Sequence, residues 1–67
     1  MIEIELNGAP YRMAPQQTLA QLVDALALTG QALALAVNRS VVPRQQWPQR
    51  VLQPHDKVDI VRAIGGG

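Results

Sequence analysis

The chain opens on a strict alternation. Ile2, Ile4 and Leu6 are apolar, and Glu3 and Glu5 between them are charged. A period of two is that of a strand with one face buried and the other in water. Asn7-Gly8 follows, a pair that tolerates the positive φ angles of a tight hairpin turn, so a return strand is expected over roughly Ala9–Met13. Pro10 has no amide hydrogen to give to a ladder, which puts that strand at a sheet edge. In "TLAQLVDALALTG" the period changes. Leu19, Leu22, Val23 and Leu26 fall at i, i+3, i+4 and i+7 and predict a helix near Leu19–Thr29. Thr18 and Gln21 have the spacing of a capping box at its start, and Gly30 supplies a stop. Alternation returns at Leu33, Leu35 and Val37, where the preceding Gly30 and the β-branched Val37 favour a strand over more helix. Asn38-Arg39 suggests a tight turn into a short strand at Ser40–Val42, ended by Pro43. The stretch "RQQWPQRVLQPHD" is rich in turn formers, with Pro48 and Pro54 as breakers. "KVDIVRAI" predicts a last strand. Val58 and Ile60 lie on one of its faces, Val61 and Ala63 on the other. A strand apolar on both faces is central in its sheet or meets a partner with the second face. One helix on a small mixed sheet buries an apolar face of each, an α+β domain.

Composition narrows what this domain does. Sixty-seven residues make one small domain, which buries roughly 60% of its unfolded surface and has little room for a deep cleft. With no Phe, one Trp and one Tyr, the core is expected to be aliphatic, and Trp47 reads as a lid over one end of it. A net charge of +1 is too small to imply a nucleic-acid or membrane surface. The absence of cysteine excludes a disulfide framework, a thiolate metal site and a thiol nucleophile. "MIEIEL" carries acidic residues and no basic stretch, unlike a signal peptide. No apolar run approaches the ~20 residues that span a bilayer. The expectation is a soluble, cytoplasmic protein.

Catalytic constellations are missing. His55 is the one histidine, in "PHD", which reads as a turn where left-handed backbone is tolerated. Glu3, Glu5, Asp24, Asp56 and Asp59 show no spacing for metal ligation or acid–base work. No glycine motif opens a helix to cradle a phosphate. Arg39, Arg44, Arg50 and Arg62 are scattered without interleaved aromatics, which argues against an RNA platform. What remains is the end of the chain. Directly after the apolar strand come Gly65, Gly66 and Gly67. Glycine gives a backbone maximal freedom and lets it enter a narrow channel. A tail without side chains is what a second protein's active site needs to reach a terminal carboxylate. That carboxylate is inert at neutral pH, but nucleotidyl transfer would turn it into an electrophile open to a sulfur nucleophile.

These residues resemble the ThiS family, sulfur carriers of thiamine biosynthesis. The resemblance rests on the strand Leu33–Asn38, on Val42-Pro43-Arg44 followed by Trp47, on Asp56 before the last strand and on Gly66-Gly67. It covers nearly the whole chain. His55 stands where relatives often have Gly, and the Phe common in the family's outer strands is absent. The resemblance implies a β-grasp, ubiquitin-like fold over residues 1–64, with first and last strands adjacent and parallel, and a flexible tail over residues 65–67. It implies that a ThiF-type adenylyltransferase uses ATP to adenylate the Gly67 carboxylate. Sulfur derived from cysteine through a desulfurase then gives a thiocarboxylate, which supplies the thiazole synthase ThiG. Gly66 and Gly65 would thread the tail into partners, and Val61, Ala63 and Ile64 would form the docking surface. The chain would be a monomeric carrier with no bound cofactor, not an enzyme by itself. A molybdopterin synthase small subunit (MoaD-like) and a ubiquitin-like protein modifier share the fold and tail and remain the alternatives.

Overall fold

Residues 1–62 are described by the computed structural model. Strand β1 (Ile2–Leu6) pairs antiparallel with β2 (Ala9–Met13), Ile4 opposite Tyr11. Asn7 and Gly8 between them have φ of 50° and 83°, the two positive angles that match the turn to the twist of its strands. Helix α1 (Leu19–Ala25) follows, then β3 (Leu33–Val37), β4 (Ser40–Val42) and, last, β5 (Lys57–Arg62). Among the described residues the five strands form one sheet in the order β2-β1-β5-β3-β4. β5 is therefore central, parallel to β1 and antiparallel to β3. β2, with Pro10, lies on an edge as expected. This is the β-grasp topology.

Helix α1 begins as its sequence predicts. The Gln21 amide donates to Thr18 Oγ1 at 3.2 Å, and the Thr18 amide donates to Gln21 Oε1 at 2.8 Å. Both arms of the capping box are made. Its end comes sooner than the expected Thr29. Ala27 turns to φ 58°, its amide donates to the Asp24 carbonyl, and the Leu28 amide donates to the Val23 carbonyl. That pair of bonds is a Schellman motif with alanine at the left-handed position usually held by glycine. Leu26 and Leu28 stay on the apolar side and turn half-buried toward the core, and that packing sets the stop ahead of Gly30. Gly30, at φ 87°, instead bends the loop into β3.

The turn-rich stretch holds a 3₁₀ helix over Arg44–Gln49 with Pro43 as its N-cap, which the breaker pattern did not show. Pro48 fits within it because a short 3₁₀ segment has few internal bonds to lose. The segment drives Trp47 into the core at 5% exposure. The indole Nε1 donates to the Val42 carbonyl at 2.9 Å, and the Arg44 guanidinium covers the ring at 4.8 Å. Trp47 is the lid expected of it. Below it Leu19, Leu22, Leu35, Leu52 and Val58 are sealed in one aliphatic core with Ile4.

Candidate functional site

The glycines at the end of the sequence follow β5, so the first question is what holds that strand. Its N-terminal end is fixed by Asp56, 8% exposed. The Gln53 amide donates to Asp56 Oδ2 at 2.8 Å, Asn38 Nδ2 donates to Oδ1 at 3.0 Å, and Arg50 stands 3.7 Å away. A buried carboxylate is stable on such terms, with its lone pairs met and a cation beside it. The preceding residue, His55, has φ 70° and gives its amide to the Glu3 carbonyl at 2.8 Å. A left-handed residue is required here, a conformation that His adopts more readily than most side chains.

Two asparagines clamp the strand along its length. Asn7 Oδ1 accepts the Ile60 amide at 2.8 Å, and Asn38 Oδ1 accepts the Lys57 amide at 2.9 Å. Each also occupies a positive-φ position of a hairpin turn, with Asn38 at 52° and its neighbour Arg39 at 70°. Asparagine tolerates that backbone and still offers an amide to the next strand. Sequence reading identified both turns but missed this second role, along with the burial of Asp56. The available signal was an asparagine opening each hairpin turn and an aspartate immediately before the last strand.

Toward the other end, β5 pairs with β1 only at Glu5↔Lys57 and Leu6↔Val58, but with β3 as far as Leu33↔Arg62. The last described residues of the strand thus pair with β3 and not with β1. The helix-free face of the sheet divides there. On β1 and β2 it shows Glu3, Glu5 and Arg12, with Glu3 and Arg12 3.9 Å apart in a solvated pair. On β5, β3 and β4 it shows Val61, Ala34, Ala36 and Val41, with Lys57 and Asp59 on the same face of β5 and Asp59 opposite Ala36. The register brings these together: Ala34 opposite Val61, Ala36 opposite Val41. Val61 and Val41 are 63% and 76% exposed, unusual for valines inside strands. Of the proposed docking residues, Val61 therefore lies on an open apolar patch. Ala63 and Ile64, with Gly65, Gly66 and Gly67, lie outside the described residues.

Among the described residues no three His, Cys, Asp or Glu side chains converge on a point where a metal could be held. No helix among them is long and apolar enough to cross a membrane.

The ThiS family model matches residues 4–67, nearly the whole domain and the glycine end with it. The chain belongs to the ThiS family. Among curated ThiS-like relatives, the sulfur carrier protein ThiS of Escherichia coli is 33% identical over 98% of this chain and all of its own length. A protein named thiazole synthase from Magnetococcus marinus is 35% identical over 98% of this chain, which spans 20% of that longer protein. The crystal structure of a ThiS from Geobacter metallireducens superposes with a TM-score of 0.85 over 98% of this chain and all of that one. At 22% identity that likeness speaks for the β-grasp fold.

Proposed function

We propose that this ThiS-family chain is a sulfur carrier for thiazole formation in thiamine biosynthesis, not an enzyme by itself, with the Gly67 carboxylate as the carrying group. The observation that carries the reading is the full-length similarity to the Escherichia coli sulfur carrier, on a chain whose sequence ends in three glycines.

The chemistry follows from what a carboxylate lacks. Its carbonyl carbon is a poor electrophile, so one oxygen first attacks the α-phosphorus of ATP in a ThiF-type adenylyltransferase. Pyrophosphate leaves and an acyl adenylate forms. A persulfide formed from cysteine by a desulfurase then attacks the acyl carbon with its outer sulfur, AMP leaves, and a thiol cleaves the resulting acyl disulfide, becoming a disulfide itself as the carrier's sulfur is released. The product is a C-terminal thiocarboxylate, whose sulfur passes to thiazole synthase ThiG. The two relatives named thiazole synthase that contain a stretch similar to this chain support that recipient. ATP belongs to the activating partner; no resident cofactor takes part in these steps. Gly65 and Gly66 give the tail a cross-section that a narrow active-site channel can admit. The apolar side chains of Val61, Ala34, Ala36 and Val41 give the partner a surface to hold, and Ala63 and Ile64 are docking residues with Val61.

The test is an intact mass spectrum after incubation with a ThiF-type enzyme, ATP and a sulfur donor, beside a chain lacking Gly67. The expected result is a gain equal to sulfur replacing oxygen in the full chain and none in the shortened one. Thiocarboxylation of the shortened chain would refute the role of Gly67. Transfer of the sulfur to ThiG separates this reading from a molybdopterin synthase subunit, and the absence of isopeptide adducts on lysines separates it from a protein modifier.

A further inference from the structure

The strand register sorts the carboxylates of this chain. On the outer face of the sheet Glu3 stands opposite Arg12 across the β1–β2 ladder, and Glu5 stands opposite Lys57 across the β1–β5 ladder. Asp24 accepts from the Thr29 hydroxyl, and buried Asp56 accepts from Gln53 and Asn38. Of the five acidic side chains, Asp59 is left. Its neighbour on β3 is Ala36, and the ladder toward β1 has already ended at Leu6↔Val58. The side chain is exposed, and it makes no hydrogen bond and no ion pair among the described residues. Residues 63–67 hold no basic side chain that could supply one.

Asp59 nevertheless borders the apolar patch on two sides. It ends the cross-strand row Val41–Ala36–Asp59, and Val61 is the next residue on the same face of β5. Val61 is thus roughly 6.6 Å away along the strand, and Val41 lies two strands across at about 10 Å. A stable protein interface covers about 800 Å² of each partner, an area roughly 30 Å across. A protein that touches Val61 and Val41 therefore covers Asp59 as well. In water the lone carboxylate is well solvated. Under a partner it loses that water, and a dehydrated charge is tolerated only where an opposite charge and hydrogen-bond donors replace it.

We propose that Asp59 is a specificity-determining residue for activation, paired with a basic side chain that the activating enzyme sets among apolar ones. The inference rests on the reading of the chain as a sulfur carrier, which supplies that enzyme. A surface that matches the valines and alanines but lacks the cation leaves Asp59 dehydrated and unpaired, so it is rejected. The apolar side chains give the hold, and the single carboxylate selects who may take it.

Adenylation kinetics with a ThiF-type enzyme test it. Asp59→Asn should raise KM about tenfold at unchanged kcat, and Asp59→Lys at least about thirtyfold. Asp59→Glu should restore most of the loss. Tm should not move in any of the three, since the carboxylate has no partner within the fold. Raising the ionic strength should raise the KM of the unaltered chain more than that of Asp59→Asn. Lys57→Gln should leave KM as it is or lower it; a rise would assign the neutralisation of Asp59 to this chain's own lysine and overturn the proposal. An unchanged KM for Asp59→Asn and Asp59→Lys overturns it while the carrier reading stands, because the chain is still activated. Weakened ThiG binding with unaltered activation would give Asp59 to the acceptor and overturns it too. If the unaltered chain is not adenylated at all, the carrier reading falls and takes the proposal with it.

Discussion

Asp56→Ala should cost this small domain about 3 kcal/mol, and the structure shows where the loss arises. At about 0.05–0.15 kcal/mol per residue, a chain of this length is stable by roughly 3–10 kcal/mol. Asp56 is buried and accepts from the Gln53 amide at 2.8 Å and from Asn38 Nδ2 at 3.0 Å. Each hydrogen bond to a charged group contributes about 1.5–3 kcal/mol. Both donors lie near the surface and would regain some water, so the lower end applies to each. The Arg50 guanidinium, 3.7 Å away and 36% exposed, adds little, because solvent screens such a pair. Asp56→Asn should cost less, about 1.5 kcal/mol, since one oxygen survives while the new amide meets a donor. Urea unfolding can be followed by the fluorescence of Trp47, the single and buried tryptophan. With m near the low end for small proteins, about 1 kcal/mol per molar, the alanine variant should lose about 3 M in midpoint. A loss under about 1 kcal/mol at unchanged m would refute the reasoning. Activation of the folded fraction should be unaffected, because β5 separates Asp56 from Arg62 by about 20 Å at 3.3 Å per residue.

Ala27→Gly should stabilise the domain by about 0.5–1 kcal/mol: it relieves roughly 1–2 kcal/mol of left-handed strain at φ 58° against the greater freedom of glycine in the unfolded chain. A Tm rise checks it, and a fall would show that the Schellman turn is not strained. Val61→Asp, on a residue 63% exposed, should leave Tm unchanged and raise KM with a ThiF-type enzyme about tenfold, the size of a moderate interface contact; an unchanged KM would remove Val61 from the docking surface. Gly66→Val should abolish adenylation while leaving the urea midpoint unchanged, because a β-branched side chain widens the tail and restricts its backbone. Normal adenylation kinetics would contradict a narrow channel.

The fold was largely legible because its signals are local. Glu3 and Glu5 between apolar neighbours, Asn7-Gly8, and Thr18 with Gln21 each constrain a few adjacent residues, and each becomes the strand, turn or cap it predicts. The misses arose where two local signals compete or where tertiary packing decides. Leu26 and Leu28 continue an apolar pattern, yet the helix ends before them because the loop can bury both without more turns. Pro48 reads as a breaker, but a 3₁₀ segment tolerates it, and the depth of Trp47 then depends on a bond to Val42 that no periodicity encodes.

The site was legible in part for the same reason. The expectation of a strand apolar on both faces, and so either central or offered to a partner, is read from a few consecutive residues; the structure shows the strand to be central and Val61 exposed, with Lys57 and Asp59 on the same outer face. The extent of the patch is not written locally, because it is assembled by register: Ala34 meets Val61 from 27 positions away, and Val41 joins through Ala36. This geometry limits any partner. Gly67 is the sixth residue after Val61, so an extended segment spans at most about 20 Å. A protein that grips the patch and acts on the carboxylate must hold its reactive centre within that distance of its binding surface. On the proposed function, the same limit would apply to the activating enzyme and to the acceptor of the sulfur. If both grip the patch, they cannot hold the carrier together, so the carrier must leave one before it serves the other. Competition between ThiF-type enzyme and ThiG for the chain would follow from the shared patch, and a stable ternary complex would show that one of them docks elsewhere.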